Sequence, residues 1–281
     1  MADSINPSVG DKASTVSGRS ATEQPRLLMR GINKSFGAVR ALTNVDFEVY
    51  DGEVVGLVGD NGAGKSTLIK TIAGVGPADD GEVFIAGQPA KITSPQVASN
   101  LGIETVYQDL ALCDNLDVVS NLFLGREHTS AGLLSEIEME RQGLNVLRTL
   151  DVKIPSIRAT VAALSGGQRQ SIAVAKTILR NAKLVLLDEP TAALGVAQTR
   201  QVLNLILRLR EQGLAVVVIS HNLADVFEVV DRVVVMRLGR RVATFDVKST
   251  TAEKVVAAIT GAEFGEIMNP ATPTNGTEGV Q

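Results

Sequence analysis

The nine residues Gly59-Asp60-Asn61-Gly62-Ala63-Gly64-Lys65-Ser66-Thr67 constrain this chain more than any other stretch. They fit the spacing G-x-x-x-x-G-K-[ST] of a phosphate-binding loop. The run 53–58 before them reads as a buried strand, and 67–73 after them reads as a helix. That context has a physical purpose. Glycines let successive backbone amides turn inward around a phosphate, and a helix N-terminus adds partial positive charge. Lys65 is then placed to reach the β- and γ-phosphates of a nucleotide, and the Ser66 hydroxyl to hold magnesium. An accidental glycine-rich turn would carry neither flank.

With 281 residues, 44% of them hydrophobic, the chain can bury a sizeable core and form one or two domains. A net charge of −4 without an extended basic stripe argues against a nucleic-acid partner. Cys113 is the one cysteine, so there is no intrachain disulfide framework, in keeping with a reducing compartment. The longest apolar run, 214–219, suits a buried strand and is far too short for a membrane helix. Residues 1–24 are rich in Ser, Thr, Asp and Gly and read as a disordered tail without the apolar stretch of a secretory signal. Residues 263–281, with Asn269-Pro270-Ala271-Thr272-Pro273, read as a second tail.

Between the tails, 25–262 reads as one nucleotide-binding domain. Short strands are expected at 27–33, 41–49, 83–85 and 103–107. A mostly helical insert follows at about 109–180. Apolar Leu133, Ile137, Leu144, Leu147 and Leu150 predict an amphipathic helix over 133–150, Pro155 breaks the region, and 171–179 predicts a second helix. Alternation then resumes, with strands at 184–187 and 214–219, helices at 198–212 and 222–230, and strands 233–236 and 242–244 around the turn 237–241. This order predicts an α/β fold with a largely parallel sheet and helices on both faces. There is one phosphate loop and no internal repeat.

Leu184-Val185-Leu186-Leu187-Asp188-Glu189-Pro190 supplies the acidic element. A buried strand delivers two carboxylates to its C-terminal end, where open α/β sheets bind ligands. Asp188 is placed to hold the hydration shell of magnesium, and Glu189 to orient or deprotonate an attacking water. A third element, Leu164-Ser165-Gly166-Gly167-Gln168, stands 23 residues before Asp188. A Ser-Gly-Gly turn at a helix start makes a further anion-binding cup of backbone amides.

In this order and spacing the chain resembles the nucleotide-binding subunit of an ABC transporter, from about residue 27 to 261. The resemblance implies a P-loop NTPase cassette: a RecA-like, mostly parallel core sheet, an antiparallel β subdomain and a helical signature subdomain. It implies ATP and Mg2+ as ligands. Phe36 matches the aromatic that stacks on adenine. Gln108 matches the glutamine that contacts magnesium and the attacking water, and His221 the switch histidine on the γ-phosphate. Ser165, Gly166, Gly167 and Gln168 match the signature that closes the nucleotide site of a second copy. His128 matches nothing and is taken as a surface residue. One position departs from the family pattern: Ala192-Ala193-Leu194-Gly195 stands where Ser-Ala-Leu-Asp is usual, so Gly195 lacks a carboxylate that normally faces the opposite subunit.

The segments Asn121-Leu122-Phe123-Leu124-Gly125-Arg126-Glu127 and His221-Asn222-Leu223-Ala224-Asp225-Val226-Phe227 look like those of monosaccharide importers, and a single cassette resembles the fructose type among them. The resemblance implies a homodimeric ATPase peripheral to the cytoplasmic face of the cell membrane. A separate permease would dock near the helical insert and the Gln108 segment, including 110–118, and an external sugar-binding protein would act through it. The alternative is a soluble cassette ATPase acting on nucleic acid or ribosomes. Chromosome-type members insert long coiled coils where this insert is short, and translation-type members carry two cassettes.

Overall fold

The computed structural model describes residues 24–130 and 132–262. Apart from Gln24, the two expected tails lie outside the described residues. β1 (Leu27–Phe36) and β2 (Val39–Val49) form a hairpin, and β3 (Val54–Val58) runs into the phosphate loop and α1 (Lys65–Ile72). β4 (Asp80–Ile85), the short β5 (Gln88–Pro89), α2 (Pro95–Asn100) and β6 (Ile103–Val106) follow. Next come α3 (Val118–Phe123), a small hairpin of β7 (Thr129–Ser130) and β8 (Leu133–Leu134), α4 (Glu136–Thr149) and α5 (Gly166–Leu179). Alternation resumes with β9 (Leu184–Asp188), α6 (Val196–Glu211), β10 (Ala215–Ile219) and α7 (Leu223–Val229). The hairpin of β11 (Arg232–Arg237) and β12 (Arg240–Asp246) and helix α8 (Ala252–Thr260) complete the described chain.

The central sheet has the order β12-β11-β3-β10-β9-β6. Its five inner-to-edge strands from β11 to β6 pair in parallel, and β12 is antiparallel at one edge. Parallel strands with both faces covered read as continuous apolar runs, and alternate residues then feed separate cores. Val54, Val58, Val185, Leu187, Val216 and Val218 pack with the apolar faces of α3 to α8. Val55, Leu57, Leu184, Leu186, Val217 and Ile219 pack with α1, α2 and the antiparallel sheet β2-β1-β4-β5. Each such side chain contributes about 1.5–3 kcal/mol of transfer free energy, so β3 is rigidly held just before the phosphate loop. A Cβ at Gly56 would lie 2.8 Å from Val226 Cγ1, so any side chain there would push α7 off the sheet. At the opposite end of β3, Arg232 and Glu53, 3% and 2% exposed, form a buried pair, with Nε donating to Oε1 over 2.9 Å.

The helix expected over 133–150 is shorter. It starts at Glu136, because Leu133 and Leu134 belong to β8, paired across the small hairpin with Ser130 and Thr129. Its buried face is Met139, Gly143 and Leu147, whereas Ile137 is 86% exposed. The Leu133–Ile137 spacing matched a helical period by coincidence. Glu136 and Glu138 mark the true first turn, where carboxylates oppose the helix dipole. The turn expected at 237–241 tightens to Leu238 and Gly239, with φ of 48° and 74°, the left-handed pair of a two-residue hairpin. The signature helix starts at Gly166, five residues before the apolar periodicity.

Candidate functional site

Four loops leave the C-terminal ends of the neighbouring strands β3, β10, β9 and β6. In that order they carry the phosphate loop, His221, the Asp188-Glu189 pair and Gln108. The parallel registers Ile219–Leu57, Ile219–Asp188 and Val106–Leu187 set them level along one edge of the sheet. Gln108 is exposed and lies two residues beyond its last paired position, in step with Glu189.

The phosphate loop is shaped by glycines that nothing else could replace. Gly59 has φ of 148°, and a Cβ there would fall 2.2 Å from the Met236 carbonyl oxygen. Gly64, at φ of 102°, would place one 2.9 Å from the Ala41 carbonyl oxygen. The loop is therefore wedged between the β11–β12 turn and the β1–β2 hairpin. Gly239 N–H donates to the Ala63 carbonyl over 3.0 Å from one side, and Thr43 N–H donates to Gly239 over 2.8 Å. Gly64 caps α1, whose first-turn amides have no intrahelical acceptor. Lys65 folds across the loop, its Nζ donating to the carbonyls of Gly59 over 2.7 Å and Asp60 over 3.0 Å. Partial burial lowers its pKa, against the opposing charges of Glu189, Asp60 and Asp188. Asp60, Asn61, Gly62 and Ser66 are exposed at the mouth, Thr67 is half-buried and Ala63 is buried.

Asp188 ends β9 half-buried. Burial pushes its carboxyl up and Glu189 adds to the shift, while Lys70 and Lys65 pull it down. Glu189 takes a left-handed φ of 50°, with its N–H donating to the Ile219 carbonyl over 3.0 Å. Its Oε2 lies 2.8 Å from His221 Nδ1 and accepts the His221 backbone N–H over 3.4 Å. A carboxylate only accepts, so this contact places a proton on Nδ1 and leaves Nε2 as the free ring nitrogen. The imidazole is 77% exposed and the carboxylate 19% exposed. His221 and Ser220 face Gly59, Asp60 and Asn61 across a cleft also lined by Leu223 and Ile259.

Phe36 is 56% exposed at the tip of the β1–β2 hairpin, with Lys34 Nζ 5.6 Å from its ring centroid. An exposed ring on a hairpin that touches the phosphate loop is suited to stack a planar base. Ser165 caps α5 in a reciprocal box. Its Oγ accepts the Gln168 N–H over 3.3 Å, and Gln168 Oε1 accepts the Ser165 N–H over 3.0 Å. Gly166 and Gly167 let α5 approach the turn before α6 and α6 itself, since Cβ atoms there would lie 2.8 Å from Leu194 and 3.0 Å from Gln201. The structure thus brings the phosphate loop, Asp188, Glu189 and His221 together. Among the described residues, Ser165–Gln168 form no hydrogen bond to any of them. Gly195 caps α6 at an ordinary φ of −75°, with no atom within 4 Å of a Cβ placed there.

Among the described residues no cluster of three His, Cys, Asp or Glu side chains is placed to hold a metal. Magnesium needs no such cage, since it is commonly held by one or two carboxylates together with substrate phosphates. Asp188, the Ser66 hydroxyl and the Gln108 amide, beside a loop shaped for phosphate, fit that mode. Lys70 escaped the sequence reading. Its charge offsets that of Asp188, and no local pattern in the sequence pointed to it. His128, expected on the surface, is half-buried and packs edge-on against Phe123 at 5.2 Å.

The family model described as ABC transporter matches residues 42–192. A fructose import ATP-binding protein of Rhizobium meliloti is 46% identical over 249 residues, covering 86% of this chain and 96% of that protein. A xylose/arabinose import ATP-binding protein of Sulfolobus acidocaldarius is 44% identical over 86% of this chain and 96% of its own length. A ribose import ATP-binding protein of Yersinia pestis is 40% identical over 87% of this chain but only 48% of its own length. The chain spans about half of that relative. The crystal structure of an ATP-binding cassette of an ABC transporter in its ADP conformation aligns with a TM-score of 0.74 at 26% identity, covering 86% of this chain and 98% of that one. A nucleotide-free cassette aligns at 0.72 and 25%, with the same coverage.

Proposed function

The chain belongs to the ABC transporter family as one of its ATPases, and on that footing we propose that it drives uptake of a monosaccharide through a separate membrane permease. One observation carries the reading. The phosphate loop, Asp188, Glu189 and His221 meet at one edge of the sheet, with Glu189 and His221 2.8 Å apart, in a chain similar to fructose, xylose/arabinose and ribose import ATP-binding proteins. The relative matched over nearly its whole length at 46% makes fructose the first sugar to test.

The phosphate loop amides and Lys65 hold the ATP phosphates, and Phe36 stacks on the adenine. Magnesium, held by Ser66, Asp188 and Gln108, would neutralise phosphate charge. Glu189 accepts the proton of the attacking water, and His221 Nε2 reaches towards the transferred phosphate. A positioned general base contributes about 10²–10⁴-fold. Ser165 through Gln168 lie apart from this cluster, so a second copy supplies them by twofold symmetry, and ATP becomes part of the interface. No helix among the described residues is long and apolar enough to cross a membrane. In this reading the chain is the peripheral partner of a permease docked near 110–118, on the cytoplasmic face.

Reconstitution of the chain with its permease and sugar-binding protein in proteoliposomes tests this reading. Sugar-stimulated ATP hydrolysis and uptake across a panel of fructose, xylose, arabinose and ribose is the expected result. ATPase activity that responds to ribosomes or DNA and to no sugar would refute it.

A further inference from the structure

Three contacts tie the turn after β9 to the end of β10 and the start of α7. The Glu189 N–H donates to the Ile219 carbonyl, and the Glu189 carboxylate meets His221. The third touches no reacting group: the Thr191 hydroxyl, in a side chain 9% exposed, donates to Asp225 Oδ2 over 2.8 Å. We propose that Thr191 and Asp225 are positioning residues, whose bond holds the Glu189 carboxylate in line for catalysis. The inference rests on Glu189 as the general base.

The backbone gives the reason. Glu189 and Ala193 both adopt left-handed φ, at 50° and 58°, a region disfavoured for residues with side chains and kept only where surrounding contacts enforce it. Within the turn itself the support is thin: Ala192 N–H to the Glu189 carbonyl over 3.1 Å, and Leu194 N–H to the Thr191 carbonyl over 3.3 Å. Helix α7 is the firmer body. Asn222 Oδ1 caps it by accepting the Ala224 N–H over 3.1 Å, Val226 and Val229 are buried beneath it, and Glu228 pairs with Arg200 of α6. His221 stands one residue before that cap, and Asp225 lies in the first turn. The two residues that meet the β9 turn, one through Glu189 and one through Thr191, are thus carried by one element. A bond from Thr191 to Asp225 fixes how far the Glu189 turn stands from the histidine it pairs with. Without it, the left-handed turn is free to relax and carry the carboxylate away.

The test uses the full chain with Thr191→Val, Thr191→Ser, Asp225→Ala and Asp225→Asn. Valine keeps the shape of threonine and removes the donor, while serine and asparagine keep a donor and an acceptor. The expected result is a fall in kcat of about tenfold for Thr191→Val and Asp225→Ala, with KM for ATP and nucleotide binding within about twofold. Thr191→Ser and Asp225→Asn should recover most of the rate. The double variant should be no slower than the slower single one, as for two ends of one bond. In a Glu189→Gln background Thr191→Val should cost nothing more, because it acts through a base already removed. Wild-type kcat in Thr191→Val, or an equal further loss in the Glu189→Gln background, overturns the proposal. A Glu189→Gln chain that hydrolyses normally overturns the general-base assignment beneath it. If Thr191→Val does not fold, the Asp225 pair carries the same test.

Discussion

Glu189→Gln separates the chemistry of the site from its stability. The amide keeps an oxygen that can accept from His221 and loses the ability to take a proton from water. The structure sets the stability cost, and general-base catalysis sets the loss in rate. The pair it disturbs reaches an imidazole that is 77% exposed, so its contribution to folding is below about 1 kcal/mol. For a domain of this size that is a shift of roughly 2–4 °C in Tm at most. Loss of the base removes about 10²–10⁴-fold in rate, or roughly 2.7–5.4 kcal/mol of barrier. ATP binding survives, since Lys65 and the loop amides are untouched. Phosphate release measured at saturating ATP with magnesium gives the rate, a fluorescent nucleotide gives affinity, and size exclusion shows whether bound ATP now traps a dimer. Turnover within tenfold of the wild type would remove Glu189 from the role of base, and lost nucleotide binding would show that it shapes the loop instead.

Ser165→Arg should abolish hydrolysis while leaving ATP binding by isolated chains intact, because the residue stands outside the cluster of its own chain; an active Ser165→Arg homodimer would contradict a shared site. Asp188→Asn should raise Tm in EDTA at neutral pH while abolishing magnesium-dependent turnover. Burial raises the folded Asp188 carboxyl, so its ionised form costs stability as pH rises through that folded value, and the gain over wild type should vanish below the ordinary aspartate range of about 4; thermal melts from pH 3 to 8 check the sign, and a lower Tm for the variant at neutral pH refutes it. Gly195→Asp should fold normally and hydrolyse within about tenfold of wild type, since a Cβ there meets nothing, φ is ordinary and an aspartate can cap α6. Loss of hydrolysis with dimerisation intact would show that glycine at this position is a requirement of the site.

The phosphate loop was legible because its residue types are forced by close contact. No side chain fits at Gly59 against Met236, or at Gly64 against Ala41, so the glycine spacing is written by the fold itself. The carboxylates were legible for a related reason: an apolar run that ends abruptly in Asp188-Glu189 has a buried strand on one side and a ligand edge on the other. The Ser165–Gln168 box is a local device and reads locally. Meetings between distant segments were not legible. Glu189 and His221 are joined because β9 and β10 pair in parallel with Ile219 opposite Asp188, a register that no local pattern encodes. Thr191–Asp225 depends on the same register. The helix at 133–150 was overextended because an i, i+4 apolar spacing also arises where a hairpin abuts a helix.

Asn121 shows what such reading loses and why it matters. A polar side chain at 0% exposure on the short helix α3 carries no sequence signal beyond its presence among apolar neighbours. In the fold it organises the stretch that follows Gln108. Its Oδ1 accepts the Cys113 N–H over 2.7 Å, and its Nδ2 donates to the carbonyls of Cys113 and Asp117, each over 3.0 Å. That stretch is bonded in turn to the one that precedes Ser165. Val161 N–H donates to the Leu116 carbonyl and Ala162 N–H to the Asp114 carbonyl, each over 3.0 Å, and Arg169 on the first turns of α5 pairs with Asp114 at 3.4 Å. Asn121, buried and bonded at both ends of its amide, is costly to replace, so it holds the stretch after Gln108 in place. The stretch 113–117, which follows Gln108, and the stretch 161–169, which contains Ser165, are therefore joined by hydrogen bonds rather than by sequence proximity.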